Sequence, residues 1–125
     1  MTGFGVKEST QGLQSPKKGR VIDLVLLASQ TKGDSNFEIE ILWRFNQSIS
    51  LHYKNLLASS SEKETKACLY SLKKESFGVG AKTLVSLIVI AEEEVSSKGA
   101  LDDEMKDDIG FAVAEVKQFI ATILN

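Results

Sequence analysis

The 125-residue sequence contains one cysteine, one proline and one histidine. Because a disulfide needs two cysteines, Cys68 cannot form one within the chain. One histidine and one cysteine, without a clustered carboxylate pair, are too few ligands for a metal ion, so we expect no metal site and no cofactor. Proline is absent after Pro16, so no proline interrupts a helix in the rest of the chain.

The sequence also lacks a strong charge of either sign and lacks long apolar runs. Its formal net charge is −2 at pH 7, so it has no broad basic field for nucleic acid or an anionic membrane. The apolar run Leu87–Ala91 is far too short to cross a bilayer, and no apolar segment near Met1 is typical of a signal peptide. We therefore expect a cytoplasmic protein that binds neither nucleic acid nor a membrane.

Composition divides the chain into two parts near position 20. Residues 1–20 contain four glycines, the single proline and the basic cluster Lys17, Lys18 and Arg20, which predicts a flexible, basic N-terminal tail. In residues 21–125 apolar side chains recur at helical spacing between segments of Gly, Ser and Asp. This region is predicted to be a single helical domain.

The apolar spacing predicts five helices, over about 23–30, 34–58, 62–77, 81–97 and 104–124. Asp34 or Ser35 can cap the second helix, with Glu38 placed to complete a capping box from Ser35. Short links between the four long helices predict an all-α, antiparallel up-down-up-down four-helix bundle with a short N-terminal capping helix. The side chains predicted to face the core include Phe37, Ile41, Leu42, Phe45, Ile49, Leu56, Leu69, Leu72, Ser76, Ile109, Val113, Val116, Ile120 and Ile123.

The segment Ala67–Ala81, ACLYSLKKESFGVGA, carries the most specific pattern in the chain. It resembles the phosphoacceptor helix of histidine-containing phosphotransfer (HPt) domains, whose pattern is His-x-Leu-Lys-Gly-Ser-x-x-x-Ile/Val-Gly-Ala. Tyr70 stands at the position of the phosphoacceptor histidine. The positions that match without a gap are Leu72, Lys73, Val79, Gly80 and Ala81.

The resemblance extends over residues 21–95 and is to the bacterial type of HPt domain. The preceding segments that carry it are Ile22–Leu24, Gly33-Asp34, Phe37–Leu42 and Phe45. A second departure is Lys74, which replaces the glycine one helical turn after the acceptor, where a small residue leaves room for a receiver domain to approach. The resemblance implies a signalling protein of a two-component phosphorelay whose partner is a response-regulator receiver domain, a histidine kinase, or both.

The chemistry at Tyr70 argues against phosphotransfer. A relay needs a nitrogen nucleophile that forms a reversible phosphoramidate, whereas a phenol with an ordinary pKa of about 10 is protonated at neutral pH and forms a stable ester. Lys73 keeps the charge position of the family and is predicted to attract the acidic pocket of a receiver, although a solvated surface lysine is an equally good interpretation. The predicted receiver-binding face consists of Lys66, Tyr70, Lys73, Lys74 and Phe77, with Tyr70 as the degenerate phosphoacceptor position.

Other candidate sites have simpler interpretations. His52, the other possible acceptor, lies beside the apolar stripe of the second helix and is predicted to be a partly buried, hydrogen-bonded histidine. Cys68 is predicted to be a small buried apolar residue, and the acidic run Glu92–Glu94 a solvated face. Trp43 is predicted at the core edge or as a contact to a partner.

Two alternatives to a phosphotransfer-incompetent binding protein stay open. The chain could be an active phosphotransfer protein with an unconventional acceptor. It could also be a helical scaffold or adaptor unrelated to phosphorelay. No pattern points to an enzyme.

Overall fold

The computed structural model describes residues 21–124, and the basic tail predicted for residues 1–20 lies outside them. Within 21–124 the ordered elements are all helices, which confirms the predicted all-α class. The five helices are α1 (Leu24–Thr31), α2 (Ser35–Ala58), α3 (Glu62–Gly78), α4 (Lys82–Lys98) and α5 (Asp103–Leu124). None of these helices is long and apolar enough to cross a membrane.

Side-chain caps fix where most of these helices begin. The Asp23 carboxylate accepts the Leu26 N–H at 3.0 Å at the start of α1, and Ser61 Oγ accepts the Glu64 N–H at 3.1 Å at the start of α3. Asp102 serves α5 in the same way, at 2.8 Å from the Met105 nitrogen. Such caps satisfy backbone donors that a helix leaves free in its first turn.

The start of α2 differs from the predicted capping box. Asp34 is the N-cap, since its carboxylate accepts the Phe37 N–H at 3.1 Å. Glu38 instead accepts a hydrogen bond from Thr31 Oγ1 at 3.0 Å. The capping box from Ser35 was therefore wrong, because Glu38 joins the end of α1 to α2.

The four long helices pack pairwise around one core. Contacts join α2 to α3, α3 to α4, α4 to α5 and α5 back to α2, while α1 packs on α2. The core lies in the middle of this ring and contains fully buried side chains from every element, among them Leu56, Leu72 and Ile88. Burying a side chain of this size stabilises the fold by roughly 1.5–3 kcal/mol.

Two predicted core residues are exposed. Phe37 lies in the first turn of α2 and Ile123 in the last turn of α5, and both side chains reach solvent. On α5 the last buried residue is Ile120. The apolar stripe of α5 continues from Ile120 to the half-buried Leu124, four residues on, so Ile123 lies beside the stripe and not in it.

The turn between α3 and α4 is fixed by Gly80. This glycine has φ +77°, a left-handed conformation that side chains with a Cβ rarely adopt. Its carbonyl accepts the Asp23 N–H at 2.9 Å, and an added Cβ would lie 3.1 Å from Asp23 Cβ and 3.2 Å from Asp23 N. The turn is therefore packed directly against the start of α1, between the buried residues Val79 and Ala81.

Tyr53 occupies a close contact between α2 and α5. Its hydroxyl donates to the Lys106 carbonyl oxygen at 2.9 Å. Burial, and then the charge of Asp107, raise the pKa of the phenol, so the phenol stays protonated as this bond requires. The ring lies against Gly110, where an added Cβ would overlap the hydroxyl and come within 2.9 Å of Cζ.

Gly110→Ala is expected to lower the free energy of unfolding by about 1–3 kcal/mol, because overpacking at Tyr53 outweighs the gain of up to about 1 kcal/mol in helix propensity. Urea denaturation followed by circular dichroism measures the change. Tyr53→Phe in the same chain removes the overlapping oxygen and should recover part of the loss. A double variant no more stable than additivity of the two single changes would contradict this account.

Candidate functional site

Tyr70 lies in the middle of α3 with 57% of its surface exposed. Its neighbours Leu69 and Leu72 are fully buried, so the helix turns Tyr70 away from the core. The predicted exposure of Tyr70 is confirmed. We use the name Tyr70 face for the surface formed by Lys66, Tyr70, Lys73, Lys74 and Phe77.

Two lysines lie close to the aromatic ring of Tyr70. Lys73 Nζ is 5.8 Å from the ring centroid and Lys74 Nζ is 6.0 Å from it. These distances are at the outer limit for cation–π attraction, which contributes about 0.5–1 kcal/mol at an exposed site. Both ammonium groups near the ring therefore come from α3 itself.

Most of the positive charge of the Tyr70 face is neutralised by nearby carboxylates. Lys73 Nζ lies 2.9 Å from Glu92 Oε1 across the contact between α3 and α4. Lys66 Nζ lies 2.9 Å from Glu62 Oε2 one turn away on α3. Lys74 has no ion pair within residues 21–124 and is the lysine of this face whose charge is most available.

Glu92 was missed as a site residue. The run Glu92–Glu94 predicts a solvated face, and the sequence carries no signal that separates its members. In the structure Glu92 is only half-exposed and turned toward α3, whereas Glu93 is exposed. Which carboxylate meets Lys73 depends on how α4 is rotated and shifted along α3.

Phe77 extends the Tyr70 face toward an apolar pocket. Its side chain is 67% exposed and borders a pocket of about 330 Å³ where α1, α3 and α4 meet. At the pocket edge the Lys82 ammonium lies 3.0 Å from Asp23. The Leu26 backbone N–H, and then Lys82, lower the pKa of the Asp23 carboxyl. The pocket is lined by Leu26, Phe77, Gly80, Ala81, Lys82, Val85 and Ser86.

His52 and Cys68 lie apart from this face. His52 Nε2 is 2.9 Å from Glu75 Oε2, in a half-buried contact between α2 and α3, which confirms the predicted hydrogen-bonded histidine. Five residues separate Tyr70 from Glu75, so His52 meets a different side of α3. Cys68 is half-buried, which corrects the prediction of a buried residue. Burial, and then Glu64, raise the pKa of its thiol, which reduces its reactivity.

Further apolar side chains are exposed on α2 and α5. The side chains of Ile39, Trp43 and Leu57 on α2 and of Phe111 on α5 are about half-exposed or more. Trp43 is the exposed tryptophan that the sequence placed at the core edge or in a partner contact. Since α2 and α5 pack together on the side of the ring away from the contact between α3 and α4, these side chains are separate from the Tyr70 face.

The Tyr70 face combines exposed aromatic and cationic side chains. The Tyr70 ring lies about 6 Å from two ammonium groups, and Phe77 is a further exposed aromatic side chain on the same helix. No group of three or more potential metal ligands occurs within residues 21–124. No family model, curated protein or solved structure matches the chain.

Proposed function

We propose that the protein is an HPt-like signalling protein that binds a receiver domain or a histidine kinase through the Tyr70 face and carries no phosphate. It would modulate a two-component phosphorelay by occupancy, because a receiver held on this face is unavailable to its phosphodonor. The observation that carries the proposal is the exposure of Tyr70 on α3 at the register of a phosphoacceptor histidine.

The helical arrangement supports an HPt-like topology. Each long helix contacts its two neighbours in the ring, and the helices follow one another through links of three or four residues. Such short links favour reversal of direction at every step. We therefore propose an antiparallel up-down-up-down bundle, with α1 covering one end.

The resemblance at the α3–α4 turn has a physical reason in this chain. Val79 and Ala81 are buried, and Gly80 takes a positive φ against Asp23. Three residues of the HPt-like pattern are thus explained by the packing of the turn. The pattern's two departures, Tyr70 and Lys74, both lie on exposed positions of α3, where a partner would meet them.

A binding screen against purified receiver domains and histidine kinases tests the proposal. We expect saturable binding to one or a few of them, weakened by salt, because exposed charges are screened beyond a Debye length of about 8–10 Å. Lys74→Glu should weaken that binding by about three- to tenfold, since it reverses the most available charge near Tyr70. Isothermal titration calorimetry at two salt concentrations measures both effects.

Lys54→Glu is the matched control, because Lys54 is an exposed lysine on α2, outside the Tyr70 face. Lys117 is a poorer control, since its Nζ donates to the Asn46 carbonyl and to Ser50 Oγ. Equal loss of affinity in Lys54→Glu and Lys74→Glu would place the interface elsewhere. Absence of binding to every receiver and kinase would refute the proposed function.

The exposed apolar side chains on α2 and α5 favour a second candidate, a helical adaptor unrelated to phosphorelay. Aromatic side chains such as Trp43 and Phe111 are enriched at protein interfaces. A partner that is lost in Trp43→Ala and retained in Tyr70→Ala would favour the adaptor. The opposite result would favour the receiver-binding protein.

A further inference from the structure

The ion pair between Lys73 and Glu92 joins the two helices that border the Tyr70 face. The side chains of Lys73 and Glu92 are 33% and 27% exposed, with 2.9 Å between Nζ and Oε1. A half-buried pair is screened less by solvent than the pair of Lys66 and Glu62, whose side chains are 47% and 49% exposed. Of the two ion pairs at this face, the pair of Lys73 and Glu92 is therefore the stronger.

The lysines of this face differ in how available they are to the carboxylates of a partner. Lys74 is exposed and has no ion pair within residues 21–124, so it is available at first contact. Lys73 is reachable from solvent, yet its ammonium is already bound to Glu92. A partner carboxylate can pair with Lys73 only by displacing the Glu92 carboxylate. The displaced carboxylate stays close by and repels the incoming carboxylate.

We propose that Glu92 is an intramolecular competitor that limits the affinity of the Tyr70 face for an anionic partner. The inference rests on the proposed function, since the acidic pocket of a receiver is the anionic partner in question. Glu92 occupies Lys73 in the free protein and repels partner carboxylates when displaced. Its removal frees the Lys73 ammonium without changing α3.

Glu92→Gln tests the proposal, because the amide keeps the size of the side chain and removes its charge. The probe is the receiver domain that binds the parent protein most tightly, titrated by calorimetry, with thermal unfolding as a check on the fold. We expect Glu92→Gln to tighten binding by about two- to fivefold, the range that corresponds to a pair of this exposure. The gain should shrink at high salt.

Glu93→Gln is the matched control, since it removes the same charge from the next residue, whose side chain is exposed and not paired with Lys73. A larger gain in affinity for the receiver in Glu92→Gln than in Glu93→Gln supports the role of Glu92 as a competitor. In a Lys73→Gln background the difference between the two changes should shrink, because no ammonium remains to be freed. A difference of undiminished size there would show that Glu92 does not act by holding Lys73 and would overturn the proposal.

The outcomes separate this inference from the proposed function. If the parent protein binds a receiver and Glu92→Gln binds it equally or more weakly, the proposal that Glu92 is a competitor is overturned. The proposed receiver binding is then unaffected. If neither the parent protein nor Glu92→Gln binds any receiver domain or histidine kinase, both are refuted.

Discussion

Gly80→Ala is expected to lower the free energy of unfolding by about 2–4 kcal/mol. Part of this loss is the cost of a left-handed conformation for a residue with a Cβ, about 1–2 kcal/mol. The remainder comes from contacts at 3.1–3.2 Å with Asp23, two of them to its backbone, which cannot move aside without opening the hydrogen bond to the Gly80 carbonyl. Urea denaturation followed by circular dichroism measures the loss.

Two other glycines separate these contributions. Gly33 has φ +79° with nothing within 4 Å of an added Cβ, so Gly33→Ala should show the conformational cost alone. Gly78 lies in α3 with equally open space, and Gly78→Ala should leave stability unchanged or raise it by up to about 1 kcal/mol. Equal losses at positions 33 and 80 would show that the contact with Asp23 contributes nothing.

The double variant Tyr70→His with Lys74→Gly is expected to take up phosphoryl groups that the parent protein does not accept. It restores an exposed imidazole on α3 and clears the approach beside it, while Lys73 keeps its charge near the acceptor. Uptake of acid-labile phosphate from a phosphorylated receiver that binds the parent protein is the measurement. The glycine should cost the exposed helix roughly 1 kcal/mol, a loss that a domain with the usual stability of about 5–15 kcal/mol tolerates.

The single variants are the controls for this gain. Tyr70→His alone leaves Lys74 in the approach path, and Lys74→Gly alone leaves a phenol that cannot relay, so each should accept less phosphate than the double variant. Labelling of the parent protein at His52, lost in His52→Ala, would instead identify an unconventional acceptor. Intact binding without uptake by the double variant would show that the partner docks in a geometry unlike that of HPt domains.

The sequence predicts well whatever depends on one helix at a time. The spacing of Leu69, Leu72 and Ser76 is enough to orient α3, because a helix turns by a fixed angle per residue. The same argument placed Tyr70 in solvent. Asp34 was recognised as a possible cap because a cap acts within its own first turn.

Contacts between helices were not predictable in the same way. The pairing of Lys73 with Glu92 and the contact of Tyr53 with Gly110 depend on the rotation and axial offset of neighbouring helices, which no local pattern encodes. Phe37 and Ile123 were misplaced because apolar spacing of three or four residues leaves open which of two adjacent positions faces the core. Because Lys73 is paired with Glu92, Lys74 is the lysine of the face with the more available charge.

The hydrogen bond from Asp23 to Gly80 has a consequence for the dynamics of the domain. A helix as short as α1 is not stable by itself. Its N-cap residue Asp23 is hydrogen-bonded to a turn that lies far away in sequence, so the docking of α1 closes a long loop. α1 is thus expected to open locally at a lower free energy than the ring of long helices. Because Leu26 of α1 lines the pocket beside Phe77, each such opening would reshape that pocket, and a partner that fills it would favour the closed state of α1.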